Sequence, residues 1–282
     1  MNNLLSDLLK EYDLRRKIAN DNLEEFKKEL YKANPILEKI EKEIQQISFK
    51  TLKEILKNPP SKDKLNKELN SKIASLKKQR LDILHSLNLE EDCLEPKYKC
   101  IYCKDTGYIK NNTTMCNCLK QEILNLTYNK SSLNNLANEN FENFDFNKYS
   151  NKVDIDKYKI NISPRDNMKN ILKIVKSFIE NFNNTDTKNL LFTGNTGLGK
   201  TFISSCIANE ILKQNKTVLY QTAPIMFDTI IDYRFGKNDG SIYNNIISSD
   251  LLIIDDLGTE TINNMKYTEL FTVINCRLLS AN

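Results

Sequence analysis

The chain has 282 residues, of which 40% are hydrophobic and 28% charged, and its formal net charge is +4. This composition is ordinary for a folded protein with two domains, or with one domain and an appendage, and the charge is too small to indicate a nucleic-acid partner by itself. The sequence shows neither the apolar stretch of a signal peptide near Met1 nor a long apolar run, so we expect a cytoplasmic protein without membrane contact.

The first part of the chain has the apolar periodicity of helices. Apolar residues recur at three- and four-residue spacing through residues 1–57, with a break and a restart at Asn34-Pro35. The run Asn-Pro-Pro-Ser at 58–61 ends this helical stretch, and near-heptad spacing predicts a further helix up to about Leu87. We therefore expect residues 1–92 to form a small helical bundle or coiled-coil arm, and binding of a partner is a hypothesis for its role.

The single histidine excludes two kinds of catalysis. His85 lies in this helical region, far along the chain from any plausible nucleophile. Both Ser-His-Asp and Cys-His mechanisms need a histidine beside the nucleophile. Neither class is therefore expected.

Four cysteines form two close pairs in the next segment, Cys100, Cys103, Cys116 and Cys118. Two thiolate pairs at such spacing can hold one zinc ion in a closed tetrahedral site, and we predict a zinc module over residues 93–130. A disulfide framework is the competing interpretation, which a cytoplasmic location disfavours. The second pair has a less usual spacing, so either Cys93 or His85 is an alternative ligand.

The segment between the cysteines and the last part of the chain is polar. A helix is expected at Leu119–Tyr128, and an Asn-rich linker over residues 131–170 contains the aromatic run Phe141–Phe146. An apolar helix is predicted at Met168–Phe182.

From Asn189 the pattern alternates between strands and helices. The predicted strands are Asn189–Thr193, Thr217–Gln221 and Asp250–Ile254. The predicted helices are Lys200–Gln214, Pro224–Phe235 and Asn264–Leu279. This alternation indicates an α/β domain with a parallel sheet, which we place at residues 171–282.

A Walker A motif follows the first of these strands, with the residues Gly194, Asn195, Thr196, Gly197, Leu198, Gly199, Lys200 and Thr201. Its small residues let backbone N–H groups surround a β-phosphate at the start of a helix. Lys200 is expected to reach the β- and γ-phosphate oxygens of ATP, and the Thr201 hydroxyl to bind Mg²⁺.

A Walker B motif supports this interpretation. The apolar strand Leu251–Ile254 ends in Asp255 and Asp256, and Gly258 fits the turn that follows. We expect Asp255 to hold Mg²⁺ and Asp256 to orient or deprotonate the attacking water. A core strand with a solvated acidic turn is the alternative, which the upstream Walker A motif disfavours.

Together these motifs resemble those of bacterial replicative helicase loaders of the DnaC/DnaI type, which are AAA+ ATPases. The resemblance covers residues 95–282 and is carried by Tyr98–Tyr108 with the second cysteine pair, Phe141–Phe144, Ser163–Arg165, the Walker A loop and Asp250–Gly258. It implies an AAA+ P-loop fold that uses ATP, Mg²⁺ and Zn²⁺, with the Phe141–Phe144 segment near the nucleotide. It also implies as partners a replicative ring helicase and single-stranded DNA, and it allows self-association through the AAA+ domain.

One element of the family pattern is not found in the sequence. In AAA+ domains a fourth strand, which carries a sensor residue, lies between the strands that precede the two Walker motifs. The chain ends at Asn282 after the helix that follows the third strand. We therefore expect a sheet that is incomplete at its C-terminal end, in a fragment or a truncated gene product, with ATP turnover near background.

Two other functions remain open. An IstB-type transposition-helper ATPase has the same nucleotide-binding residues, although such helpers usually lack the cysteine cluster. A remnant that binds a helicase without hydrolysing ATP is the second alternative.

Overall fold

A computed structural model describes residues 2–57, 62–127, 138–184, 189–259 and 264–280. The chain divides into two compact units, residues 1–109 and 110–282. No helix in the described ranges is long and apolar enough to cross a membrane. The finer division at residues 92, 130 and 170 stays a prediction.

The first unit contains the predicted helical region. Its helices are α1 (Asn2–Ala33), α2 (Pro35–Lys57) and α3 (Lys62–Ser86). The predicted break is confirmed, because α2 begins at Pro35, whereas residues 58–61 lie outside the described ranges. A core of Leu30, Leu37 and Leu84 joins the three helices.

A short hairpin and a helix follow the arm. Strands β1 (Tyr108–Ile109) and β2 (Thr114–Met115) form a two-stranded sheet, and α4 (Asn117–Thr127) begins directly after Cys116. The division between the two units falls inside this hairpin.

The second unit continues with α5 (Ile155–Tyr158), α6 (Pro164–Glu180), α7 (Lys200–Lys213), β3 (Val218–Thr222), α8 (Ala223–Arg234), α9 (Ser241–Ser248), β4 (Leu251–Asp255) and α10 (Asn264–Ser280). Helix α6 begins earlier than predicted because the Ser163 hydroxyl accepts a hydrogen bond from the Asp166 backbone N–H at 3.1 Å, with Pro164 in the first turn. Helix α9 was not predicted.

Strands β3 and β4 form the centre of the second unit. They are parallel, with Val218 opposite Leu251 and Thr222 opposite Asp255. Val218 belongs to a core cluster with residues of α6 and α7, whereas the next residue, Leu219, belongs to a cluster with α8, α9 and α10. Both faces of the pair are therefore covered by helices, as expected for an α/β fold with a parallel sheet.

The predicted strand at Asn189–Thr193 is wrong for this structure. Leu190 and Phe192 pack against the core while Leu191 between them is 78% exposed, so the segment keeps the alternation of a strand. A strand also needs hydrogen bonds to a neighbour, and no described segment pairs with residues 189–193. The parallel sheet therefore has two strands within the described residues, where three were predicted.

The outer edge of β3 is occupied by a glutamine of α4. Gln121 is 8% exposed, and its Nε2 donates to the Val218 carbonyl at 2.9 Å while the Val218 N–H donates to its Oε1 at 2.7 Å. The Gln121 amide therefore pairs with Val218 as a neighbouring strand would. The Thr217 carbonyl accepts from Leu251 N–H of β4, so the backbone groups of the next residue, Val218, face the side away from β4. Leu124, one turn further, packs against Leu219. Helix α4 is thus fixed to an edge that would otherwise be open for pairing.

This contact leads to a stability prediction. We expect Gln121→Ala to lower the free energy of unfolding by about 2–3 kcal/mol, because two buried backbone groups of Val218 lose these bonds. Guanidinium unfolding measures the change, with exposed Lys120→Ala on the same helix as the control, for which we expect less than about 0.5 kcal/mol. An unchanged midpoint for Gln121→Ala would show that α4 does not support the sheet edge.

Candidate nucleotide site

The Walker A residues form a loop that leads directly into α7. Helix α7 begins at Lys200, and Gly199 before it has a φ of +88°. A Cβ atom at Gly199 would also lie 2.7 Å from the hydroxyl oxygen of Tyr149. Both the left-handed backbone and this close approach require glycine here.

Lys200 lies against its own loop. Its Nζ donates to the carbonyl oxygens of Gly194 and Asn195, each at 2.9 Å. The ammonium group is therefore held inside the loop that is predicted to surround the β-phosphate.

The two predicted magnesium ligands are brought together across the fold. The Thr201 hydroxyl at the start of α7 donates to Asp255 Oδ2 at the end of β4, at 3.0 Å. The other oxygen of Asp255, Oδ1, accepts from the Asp256 backbone N–H at 2.9 Å. A hydroxyl paired with a carboxylate offers the hard oxygen ligands that Mg²⁺ prefers.

Asp256 lies in the turn after β4. Its φ is +55°, its side chain is exposed, and its carbonyl accepts from Thr259 N at 3.1 Å and Thr259 Oγ1 at 2.8 Å. The role predicted for the Asp256 carboxylate stays a prediction.

An aromatic cluster lies against the loop. The Tyr149 hydroxyl donates to the Leu198 carbonyl at 3.1 Å, and its ring stacks on Phe144 with a centroid distance of 5.9 Å. Phe144 in turn makes an edge contact with Phe202 of α7 at 5.8 Å. The segment expected near the nucleotide therefore packs beside the Walker A loop, and burial raises the pKa of Tyr149. Tyr149 was not predicted from the sequence, although the aromatic run just before it was the available signal.

A second tyrosine, also missed, contacts Asp255. Tyr220 lies on β3, and its hydroxyl donates to Asp255 Oδ2 at 2.7 Å. Burial raises the pKa of Tyr220, and the Asp255 carboxylate adds to the effect. Its position inside an apolar strand gave no indication of this contact.

Residues 124–281, more than half of the chain, match the family described as IstB-like ATP binding protein. The chain belongs to this family. The matched range contains the whole Walker A loop and Asp255.

Individual relatives of this IstB-like chain include two kinds of protein. The replicative helicase loader DnaC of Escherichia coli (strain K12) is 29% identical over 94 residues, which are 33% of this chain and 38% of the loader. DnaC of Buchnera aphidicola subsp. Acyrthosiphon pisum is 28% identical over 109 residues, 38% of this chain and 43% of the loader. The insertion sequence IS1162 putative ATP-binding protein of Pseudomonas fluorescens is 30% identical over 92 residues, 32% of this chain and 38% of that protein.

These matches confirm the resemblance to DnaC-type loaders at the level of the family. The alignments span less than half the length of each of these relatives. The activity and partners of a whole loader are therefore matters of proposal for this chain.

The cysteine cluster precedes the residues matched to the IstB-like family. The Sγ atoms of Cys100, Cys103, Cys116 and Cys118 all lie within 4.8 Å of one another. Four thiolates bound to one tetrahedral Zn²⁺ at ~2.3 Å lie about 3.8 Å apart, so this donor set fits a structural zinc ion.

The backbone around the first cysteine pair is held by a buried carboxylate. Asp105 is 1% exposed and accepts hydrogen bonds from the backbone N–H groups of Lys99 and Cys100, both at 2.9 Å. Such support orients a metal ligand. Cys93 packs instead beside the core of the helical arm, where burial raises its pKa, so the geometry favours the four predicted ligands over Cys93.

Proposed function

We propose that the chain binds ATP with Mg²⁺ and acts as a loader or accessory factor for the replicative ring helicase in DNA replication. The observation that carries this proposal is the contact between Thr201 and Asp255, which joins both Walker motifs in a chain whose relatives include helicase loaders.

Each residue of the site has a distinct part in the proposed chemistry. Lys200 binds the β- and γ-phosphates, while Thr201 and Asp255 hold Mg²⁺. Asp256 has the role of orienting or deprotonating the water that attacks the γ-phosphate, at the near-background rate of ATP turnover that is expected for residues 1–282. When bound at Thr201 and Asp255, Mg²⁺ would neutralise the charge that develops on the phosphates.

The remaining parts serve the partners. The helical arm at residues 1–92 binds the helicase, and a zinc ion held by the cysteine cluster stabilises the hairpin that lies between the two cysteine pairs. Single-stranded DNA binds to the ATPase part, which also supports self-association. These assignments rest on the resemblance to DnaC-type loaders.

A transposition helper is the second candidate. The family description and the relative from insertion sequence IS1162 both favour it. The cysteine cluster favours the loader, because it is a feature that transposition helpers usually lack.

A binding experiment with two candidate partners separates these functions. Immobilised residues 1–282 would be presented with the hexameric replicative helicase and, in parallel, with an insertion-sequence transposase, each with and without Mg·ATP. We expect retention of the helicase alone. Retention of the transposase alone would show that the chain is a transposition helper and not a loader. Retention of neither protein would overturn the proposed partner.

A further inference from the structure

Tyr220 reaches the metal end of the site from inside the sheet. It is 2% exposed and lies on β3 two residues after Val218, hence on the same face, which is covered by α6 and α7. Thr222 is opposite Asp255, so Tyr220 is a diagonal neighbour of Asp255 across the strand pair. A long aromatic side chain can span such a diagonal.

The hydroxyl of Tyr220 contacts the same oxygen as Thr201. Asp255 Oδ2 accepts from Tyr220 Oη at 2.7 Å and from Thr201 Oγ1 at 3.0 Å, while Oδ1 accepts from the Asp256 N–H at 2.9 Å. Donors from three separate elements therefore determine the orientation of one carboxylate. Of these three donors, the Tyr220 hydroxyl is the one from β3, and both faces of that strand are packed against helices.

The hydroxyl is itself held in place. Ser205 of α7, which is 1% exposed, hydrogen-bonds with Tyr220 through its side chain. The Tyr220 hydroxyl thus links Ser205 of α7 to the Asp255 carboxylate. The Thr201 hydroxyl, at the start of α7, contacts the same carboxylate directly.

We propose that Tyr220 is a positioning residue for magnesium, which holds the Asp255 carboxylate in the orientation that binds Mg·ATP. The inference rests on the proposed nucleotide site and adds a residue that lies in neither Walker motif. If its hydroxyl is removed, Asp255 loses the bond from β3 and samples other rotamers. Metal-dependent nucleotide affinity then falls, although Lys200 and the loop still contact the phosphates.

The test uses Tyr220→Phe, which removes one oxygen and keeps the ring in the core. Binding of ATP to residues 1–282 would be measured by calorimetry with saturating Mg²⁺ and again in EDTA. We expect roughly tenfold weaker binding in Mg²⁺, as for a lost hydrogen bond to a charged group, and unchanged binding in EDTA. Tyr243→Phe, a partly buried tyrosine on α9 away from the site, is the control and should match the parent in both conditions.

A double-mutant cycle separates positioning from general packing. In an Asp255→Asn background, Tyr220→Phe should cause less than about a twofold further change in Mg²⁺, because the carboxylate that it positions is gone. An equal loss in Mg²⁺ and EDTA, or no loss at all, would overturn the positioning role and leave the nucleotide site standing. A parent protein without Mg²⁺-dependent ATP binding would overturn the proposed function itself, and this inference with it.

Discussion

Lys200→Ala is expected to weaken ATP binding by about 100-fold or more in the presence of Mg²⁺. The side chain supplies the cation that faces the β- and γ-phosphates, and each charge-assisted hydrogen bond is worth about 1.5–3 kcal/mol. Two such bonds account for a loss of this size. In the structure the ammonium group already lies within the loop, against the carbonyls of Gly194 and Asn195.

Calorimetry of ATP binding measures this effect, and α7 offers a matched control. Lys213 lies at the other end of the same helix and pairs with Glu210 at 2.7 Å, so Lys213→Ala changes the charge equally without touching the loop. We expect the affinity of Lys213→Ala to stay within about twofold of the parent. An affinity of Lys200→Ala equal to that of the parent would show that the loop does not bind phosphate.

Cys103→Ser is expected to release zinc and to loosen residues 95–120. The parent should hold one zinc ion per chain, and apparent binding free energies of structural zinc are about 10–16 kcal/mol in small modules, so losing a buried thiolate ligand has a large effect. Elemental analysis measures the metal, and hydrogen exchange measures the local loosening. Helices α1 to α3 should keep their protection, because the core around Leu37 and Leu84 does not include the cysteine cluster.

Cys276→Ser is the control for the metal experiment. Cys276 lies on α10, is partly exposed and does not belong to the four-cysteine group. The Cys276→Ser variant should retain one zinc ion per chain. A parent protein purified without chelator that contains no metal would contradict the zinc assignment.

The parts of the molecule that short motifs specify were predictable from the sequence. The Walker loop, the strand ending in Asp255 and the cysteine pairs each depend on residue types at fixed spacing. Proline and polar caps likewise determine where helices begin, as Pro35 does for α2.

The roles that the sequence did not predict depend on contacts between residues that lie far apart along the chain. Tyr220 and Gln121 stand in sequence stretches that look like an ordinary strand and an ordinary helix, and only the folded chain brings them to Asp255 and Val218. For residues 189–193 the sequence predicted a strand that the structure does not form. Its apolar alternation is that of a strand, but strand formation also requires a hydrogen-bonded neighbour, which local sequence does not reveal.

Hydrogen exchange with and without Mg·ATP is the most direct test of the central claim, that nucleotide binds between the Walker A loop and the end of β4. For residues 1–282, Mg·ATP should slow exchange of the amides at 194–201 and 251–256, and Lys200→Ala should abolish this protection. Helices α1, α2 and α3 of the helical arm should exchange at the same rate in both conditions. Protection that is absent from these two segments, or that persists unchanged in Lys200→Ala, would contradict the account.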